Sequence, residues 1–186
     1  MTSFFSSSPQ VDQPNFQPTR AYFGQKDIQQ ALLLRRLCRD LLLAHPEPAN
    51  LRIVPTARDP ATGLALSSRN AYLTDEGRKV APTLYQALQA ARVTWDAGAT
   101  KTECIRKALD VVETSQARIR AEDSPVSMRL DYIELNDAGD FEVVDGVCRR
   151  DAHNPRPLIL SGALWVDKTR LIDNIILDDA KRITSS

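Results

Sequence analysis

The sequence predicts a mixed α/β protein in which the end of a parallel sheet is followed by a smaller α+β unit. Three observations carry this. Residues 20–54 read strand, helix, strand; two parallel strands need a crossover, and a helix supplies it. Residues 74–118 read as helices with their own capping signals. Residues 129–177 read as three strands separated by turns. Two strands and one helix cannot be a whole sheet. Residues 19–70 are therefore expected to end a larger sheet, and residues 71–186 to form the smaller unit.

The elements follow in order. Residues 1–18, MTSFFSSSPQVDQPNFQP, are rich in Ser, Gln and Pro and have no period, so a disordered tail is expected. They lack the basic start and apolar stretch of a secretory signal. RAYFG, 20–24, reads as a short strand ending in glycine. The stretch from Lys26 to Pro46 places apolar residues at 28, 31, 32, 34, 38, 41 and 42, the spacing of a helix. Asp27 and Gln30 are spaced as an N-cap and its N3 partner, and Pro46 and Pro48 stop the helix. LRIV, 51–54, is a buried-type strand. PTARDPATGLALSSRN, 55–70, is a long connection, and loops beyond about 12 residues in a compact domain are usually functional or disordered.

Thr74 then caps a helical stretch to about Ala97, broken near Pro82, with Gly98 as its C′ residue. Thr100 and Glu103 form a capping box that opens a helix to about Arg118. Residues 129–135, 158–166 and 170–177 read as strands, with N-D-A-G and V-D-K turns between them and a proline-rich loop at 145–157.

Composition removes several function classes. The 186 residues hold 24 Lys+Arg and 24 Asp+Glu, without the basic excess that phosphate backbones demand, so no nucleic-acid partner is expected. No apolar run approaches the roughly 18 residues of a membrane span. Cys38, Cys104 and Cys148 are far apart and form no C-x-x-C, so neither a zinc cluster nor a disulfide framework is expected, and a reducing cytoplasm is the simplest compartment. The only histidines, His45 and His153, are too distant for any two-histidine motif and read as structural or surface residues. No metal-ligating residue is assigned.

Two segments carry candidate chemistry. FGQKD, 23–27, puts Gly24 at a strand-to-helix junction and Lys26 beside a helix N-terminus, where N–H groups attract phosphate. Asp27 serves as a cap or meets a ribose or metal-bound oxygen, and Gln30 offers a donor and an acceptor. LALSSRN, 64–70, offers two hydroxyls and a guanidinium, a grip for phosphate oxygens. Taken singly, the first also reads as a turn with a surface lysine, and the second as a polar loop. Together they flank one strand, and ligands of open α/β sheets gather at strand carboxyl ends. Neither GxGxxG nor GxxxxGK[ST] occurs. Trp95 and Trp165 read as packing, Cys38 as core, Arg149, Arg150 and Asp151 as a solvated loop. Asp173 and Asn174 read as residues satisfying backbone groups at a turn.

YFGQKDIQQ, PTARDPATGLALSSRNAYL, DYIEL and TRLIDN, in that order, resemble the pantoate–β-alanine ligase (pantothenate synthetase) family over residues 18–178. The resemblance implies a Rossmann-like nucleotidyltransferase domain ending near residue 70, then a small C-terminal domain, with a homodimer as the usual assembly. It implies a reaction in which pantoate is adenylated by ATP with Mg2+ and the amine of β-alanine displaces AMP. It places Gly24, Gln25, Lys26 and Asp27 on the ATP-contacting block, where the family more often has Glu at the position of Gln25. Gln30 falls on a pantoate-binding glutamine and Ala57 on a backbone contact to adenine. Leu66, Ser67, Ser68 and Arg69 fall on the family's counterpart of the KMSKS loop, a lid over the phosphates. Lys26 and Arg69 are the catalytic candidates. The family's H-x-x-H motif and a further glutamine precede the FGQKD block and have no counterpart here. The chain is thus expected to be the C-terminal half of such a ligase, inactive without a complementing N-terminal half. The alternative is a non-catalytic fragment that contacts nucleotide or a subunit. A related nucleotidyltransferase with another acid substrate is disfavoured by Gln30.

Overall fold

A computed structural model describes residues 19–151, 156–178 and 180–184. The expected tail at 1–18 and His153 lie outside the described residues.

Strands β1 (Ala21–Gly24) and β2 (Leu51–Val54) pair in parallel, Ala21 opposite Leu51, as the strand–helix–strand reading requires. The crossover helix α1 spans Ile28–Asp40 and follows a 3₁₀ turn, Gln25–Asp27. Ile28, Ala31, Arg35 and Cys38 form its buried side. Two expectations fail here. The Asp27 side chain makes no cap bond, because the 3₁₀ turn carries it away from the helix N–H groups and its carboxylate lies 3.6 Å from Lys26 Nζ instead. The helix also ends before Leu41 and Leu42. Leu42 takes φ 51°, and Leu43 N–H donates to Cys38 O while Leu42 N–H donates to Arg39 O. This double closure satisfies the last carbonyls and turns Leu41 and Leu42 outward, 60% and 88% exposed.

The next stretch follows its capping signals. α2 (Asp75–Val80) begins where the Thr74 hydroxyl accepts from Gly77 N–H, and Pro82 separates it from α3 (Thr83–Asp96). Gly98 follows α3 at φ +85°, which a residue with a Cβ adopts only at a cost. The Thr100–Glu103 box is complete and opens α4 (Lys101–Ala121).

β3 (Met128–Asp137), β4 (Leu158–Val166) and β5 (Thr169–Leu177) form an antiparallel sheet in that order, with a register shift between Leu130 and Tyr132. One face takes α3 and α4 and builds the main core, with Leu88, Trp95, Val112, Leu135, Leu160 and Leu164. The other face contributes Ile159 to a smaller core with Ile28, Ala31, Ile53 and Ile183 of the short helix α5 (Lys181–Thr184). β4 is therefore buried on both faces, which explains why LILSGALWV is a continuous apolar run rather than an alternating one.

Residues 145–151 are more organised than a solvated run. Gly146 and Cys148 carbonyls accept from the first N–H groups of α4, Arg149 donates to Gly98 O, and Arg150 pairs with Asp178 at 2.7 Å. Asp178 also accepts from Trp95 Nε1 at 3.1 Å. Cys38, Cys104 and Cys148 are all free thiols. No helix among the described residues is long and apolar enough to cross a membrane.

Candidate active site

The carboxyl end of β1 runs straight into the turn that carries Lys26. Gly24 is extended (φ −71°), so its conformational freedom is not used; a Cβ there would meet nothing within 4 Å, and its backbone is open to close approach. The turn is held by Asn174 in mid-strand β5. Asn174 Nδ2 donates to Gln25 O at 2.8 Å and Lys26 O at 3.0 Å, while Gln25 Nε2 donates to Asn174 Oδ1. Asn174 thus satisfies backbone carbonyls as expected, but from the middle of a strand rather than a turn. Its amide gives these part-buried carbonyls a donor.

Loop 55–70 is anchored rather than free. Arg58 and Ala65 form an isolated antiparallel bridge, and Leu66 N–H donates to Ala57 O. The Arg58 guanidinium grips the buried Asp173 carboxylate with both nitrogens, 2.5 and 2.9 Å, and lies 3.8 Å over the Tyr85 ring. Asp59 caps the turn at its tip: hydrogen bonds from the Thr62 hydroxyl first, then from the Thr62 and Ala61 N–H groups, hold its carboxyl below the usual range. Gly63 (φ +75°) has Tyr85 where a Cβ would stand, 2.6 Å away. Asn70 Nδ2 donates to Ala65 O, and Ser67 Oγ accepts from Arg69 N–H to open a 3₁₀ turn at Ser68–Tyr72.

This anchoring brings part of the expected set together. Lys26, Ser67 and Arg69 line one narrow cavity of ≈20 Å³ with Asp173 at its wall. Lys26, Asp27 and Gln30 line a second, of ≈170 Å³, and Gln25 borders a third, of ≈710 Å³. Leu66, Ser68 and Ala57 are exposed on the loop and line none of the three. Sequence reasoning missed Arg58 and Tyr85, and it underused Asp173 and Asn174. The available signal was TRLIDN itself, where two adjacent polar residues interrupt an apolar strand and each must find a partner.

The pantoate–beta-alanine ligase family model matches residues 14–176. The chain belongs to that family. It is 38% identical over 162 residues to the pantothenate synthetase of Moorella thermoacetica, covering 87% of this chain and 50% of the relative. It is 40% identical over 160 residues to that of Thermosipho africanus, 86% of this chain and 50% of the relative. The crystal structure of pantothenate synthetase from Thermus thermophilus superposes with a TM-score of 0.65 at 37% identity, over 86% of this chain and 50% of that one. The chain spans about half the length of the curated relatives it matches.

Proposed function

We propose that this chain supplies the C-terminal half of an ATP-dependent pantoate–β-alanine ligase site. The observation that carries this reading is the convergence of Lys26 with Ser67 and Arg69 on one cavity at the carboxyl end of β1. In the first step a pantoate carboxylate oxygen attacks the α-phosphorus of ATP and pyrophosphate leaves, giving pantoyl-adenylate. In the second the β-alanine amine attacks the acyl carbon, AMP leaves with the former carboxylate oxygen, and the amine proton is lost.

Lys26 and Arg69 would stabilise charge on the α-phosphate and on departing pyrophosphate. Gly24, Gln25, Asp27 and Ala57 would contact ATP, Gln30 would contact pantoate, and Leu66–Arg69 would close over the phosphates to keep water from the adenylate. In this reading residues 19–70 end a Rossmann-like domain and residues 71–186 form the small domain. The compartment is cytoplasmic, and the assembly is a homodimer or a pairing with the complementing half.

Mg2+ is implied by the resemblance. Among the described residues there is no group of three or more His, Cys, Asp or Glu able to hold a metal, and the two carboxylates beside the cavities that Lys26 lines are paired, Asp27 with Lys26 and Asp173 with Arg58. These residues do not fit a self-contained magnesium site, and no step is routed through one.

The matched length favours a second reading, a fragment that contacts nucleotide or a subunit without catalysis. AMP release decides. The chain is incubated with Mg-ATP, pantoate and β-alanine, each omitted in turn, with and without the separately expressed N-terminal half of a relative. Release that needs both acids and both halves is expected. No release in any combination leaves the non-catalytic reading.

A further inference from the structure

Leu171, Ile172, Ile175, Ile176 and Leu177 make β5 an apolar strand, yet its middle holds Asp173, 4% exposed, and Asn174, 2% exposed. Burying an acid and an amide is costly, and replacing a buried ion pair with apolar residues of similar size is often neutral or stabilising. Packing alone does not account for the two. β5 is the last strand of its sheet, and successive side chains leave a strand on opposite faces, so the two neighbours reach different segments. Asn174 donates to the backbone carbonyls of Gln25 and Lys26. It fixes where the Lys26 side chain starts and leaves the ammonium to other partners. Asp173 holds both terminal nitrogens of Arg58. Arg58 in turn organises a small hairpin. Its backbone pairs with Ala65, its guanidinium donates to Gly63 O at 3.2 Å, and the bonds Asp59 N–H to Leu64 O and Leu66 N–H to Ala57 O lie on either side. The hairpin runs directly into Ser67 and Arg69.

We infer that Asp173 and Asn174 are positioning residues for a phosphate-bearing ligand, Asn174 acting through Lys26 and Asp173, by way of Arg58 and the hairpin, through Arg69. The use of the two cations rests on the ligase reading above. Each cation is tied to one of two adjacent residues of a single strand, so β5 sets their separation. Asp173 also stands at the wall of the cavity that Lys26, Ser67 and Arg69 line. By charge alone its carboxylate would repel an anion there, and removing that charge would tighten binding. A loss of affinity on removing it therefore reports position rather than charge.

Calorimetric titration of the full 186-residue chain with inorganic pyrophosphate, below the melting range of each variant, tests this. Lys26→Ala and Arg69→Ala should each raise Kd about tenfold, the size of one charge-assisted hydrogen bond. Asn174→Leu and Asp173→Asn should each raise it about threefold, since the cation stays but is no longer held. Each smaller loss should vanish once its cation is gone: Asn174→Leu changes nothing in Lys26→Ala, and Asp173→Asn changes nothing in Arg69→Ala. A merely structural effect would persist in both backgrounds. Where Asn174→Leu or Asp173→Asn does not fold, Asn174→Ala and Arg58→Lys take their places, the latter breaking the same two-nitrogen contact with its charge kept. Unchanged or tighter binding in either single variant, a loss that persists without its cation, or no pyrophosphate binding by the parent overturns the assignment. The AMP assay separates it from the ligase reading. Cation-dependent losses without AMP release in any combination sink the ligase reading alone. AMP release with parental kcat and KM for ATP in both variants sinks the positioning assignment alone.

Discussion

Residues 21–54 and residues 73–177 are both rich in apolar side chains and bury them very differently. In the later stretch, the apolar sides of α3 and α4 and one sheet face close on each other around Trp95, and few large apolar groups are left out. In the earlier stretch, one side of α1 is covered through Ile28, Ala31 and Cys38, while Leu33, Leu37 and Leu41 form an exposed stripe at i, i+4 and i+8, and Tyr22 and Val54 are exposed on the two-stranded sheet. A helix with two apolar sides has two neighbours to satisfy, and α1 has one among the described residues. The contrast teaches where stability resides: the second stretch is a closed core, and the first leans on it through Ile159 and Ile183.

The largest test of this contrast is truncation in each core. Leu164→Ala should cost about 4 kcal/mol in urea unfolding, and the matched truncation Ile53→Ala about 2 kcal/mol. Similar costs would erase the distinction. Next is the tie between loop and sheet. Asp173→Asn strands the Arg58 guanidinium against a buried wall, and about 3 kcal/mol should be lost by the same measurement; a loss below about 1 kcal/mol would mean that the loop is not anchored there. Thiol labelling compares the stretches directly. Cys38 and Cys104 are both buried, Cys104 in the main core and Cys38 on the covered side of α1; if α1 opens more readily than the main core, Cys38 should react about tenfold faster under native conditions. Burial first, then the Glu103 charge, pushes the Cys104 thiol up to about 11, which slows it further. Mass spectrometry after timed quenching gives both rates, and faster reaction at Cys104 would invert the comparison.

The smallest effect is at the start of α4. Thr100→Ala should cost about 1 kcal/mol. The Thr100 N–H, then its hydroxyl, holds the Glu103 carboxyl below its ordinary range. A depressed carboxyl contributes stability above its ordinary pKa and loses it as pH falls through the depressed value. Acid titration of the melting point should therefore narrow the separation between parent and Thr100→Ala as the Glu103 carboxyl protonates, leaving the part due to the hydroxyl's bond from Glu103 N–H. A constant separation would show that Glu103 plays no part.

Much of this was legible in the sequence where the cause is local. Thr74, Pro82, Gly98 and the Thr100–Glu103 box marked helix ends because each acts on backbone within one turn. The parallel pair followed from its crossover. What escaped depended on distant partners. The end of α1 was set by Leu42 adopting a left-handed turn that no residue type announces. Arg58 found Asp173 across 115 positions, and Asn174 found Lys26 across 148. Of the candidate site, the residue types at Lys26, Ser67 and Arg69 were readable, while their convergence required knowing that β5 closes the back of the turn.

The Asn174 clamp has a consequence for inheritance. The position of Lys26 is fixed by a side chain near the opposite end of the chain, so the two segments cannot be exchanged independently. Recombination between related genes with a crossover anywhere between residues 27 and 173 would pair a turn from one parent with a strand from another. Only hybrids that keep an amide at 174 would hold the lysine in place. Segments 24–30 and 169–177 are thus one heritable unit, although most of the chain lies between them.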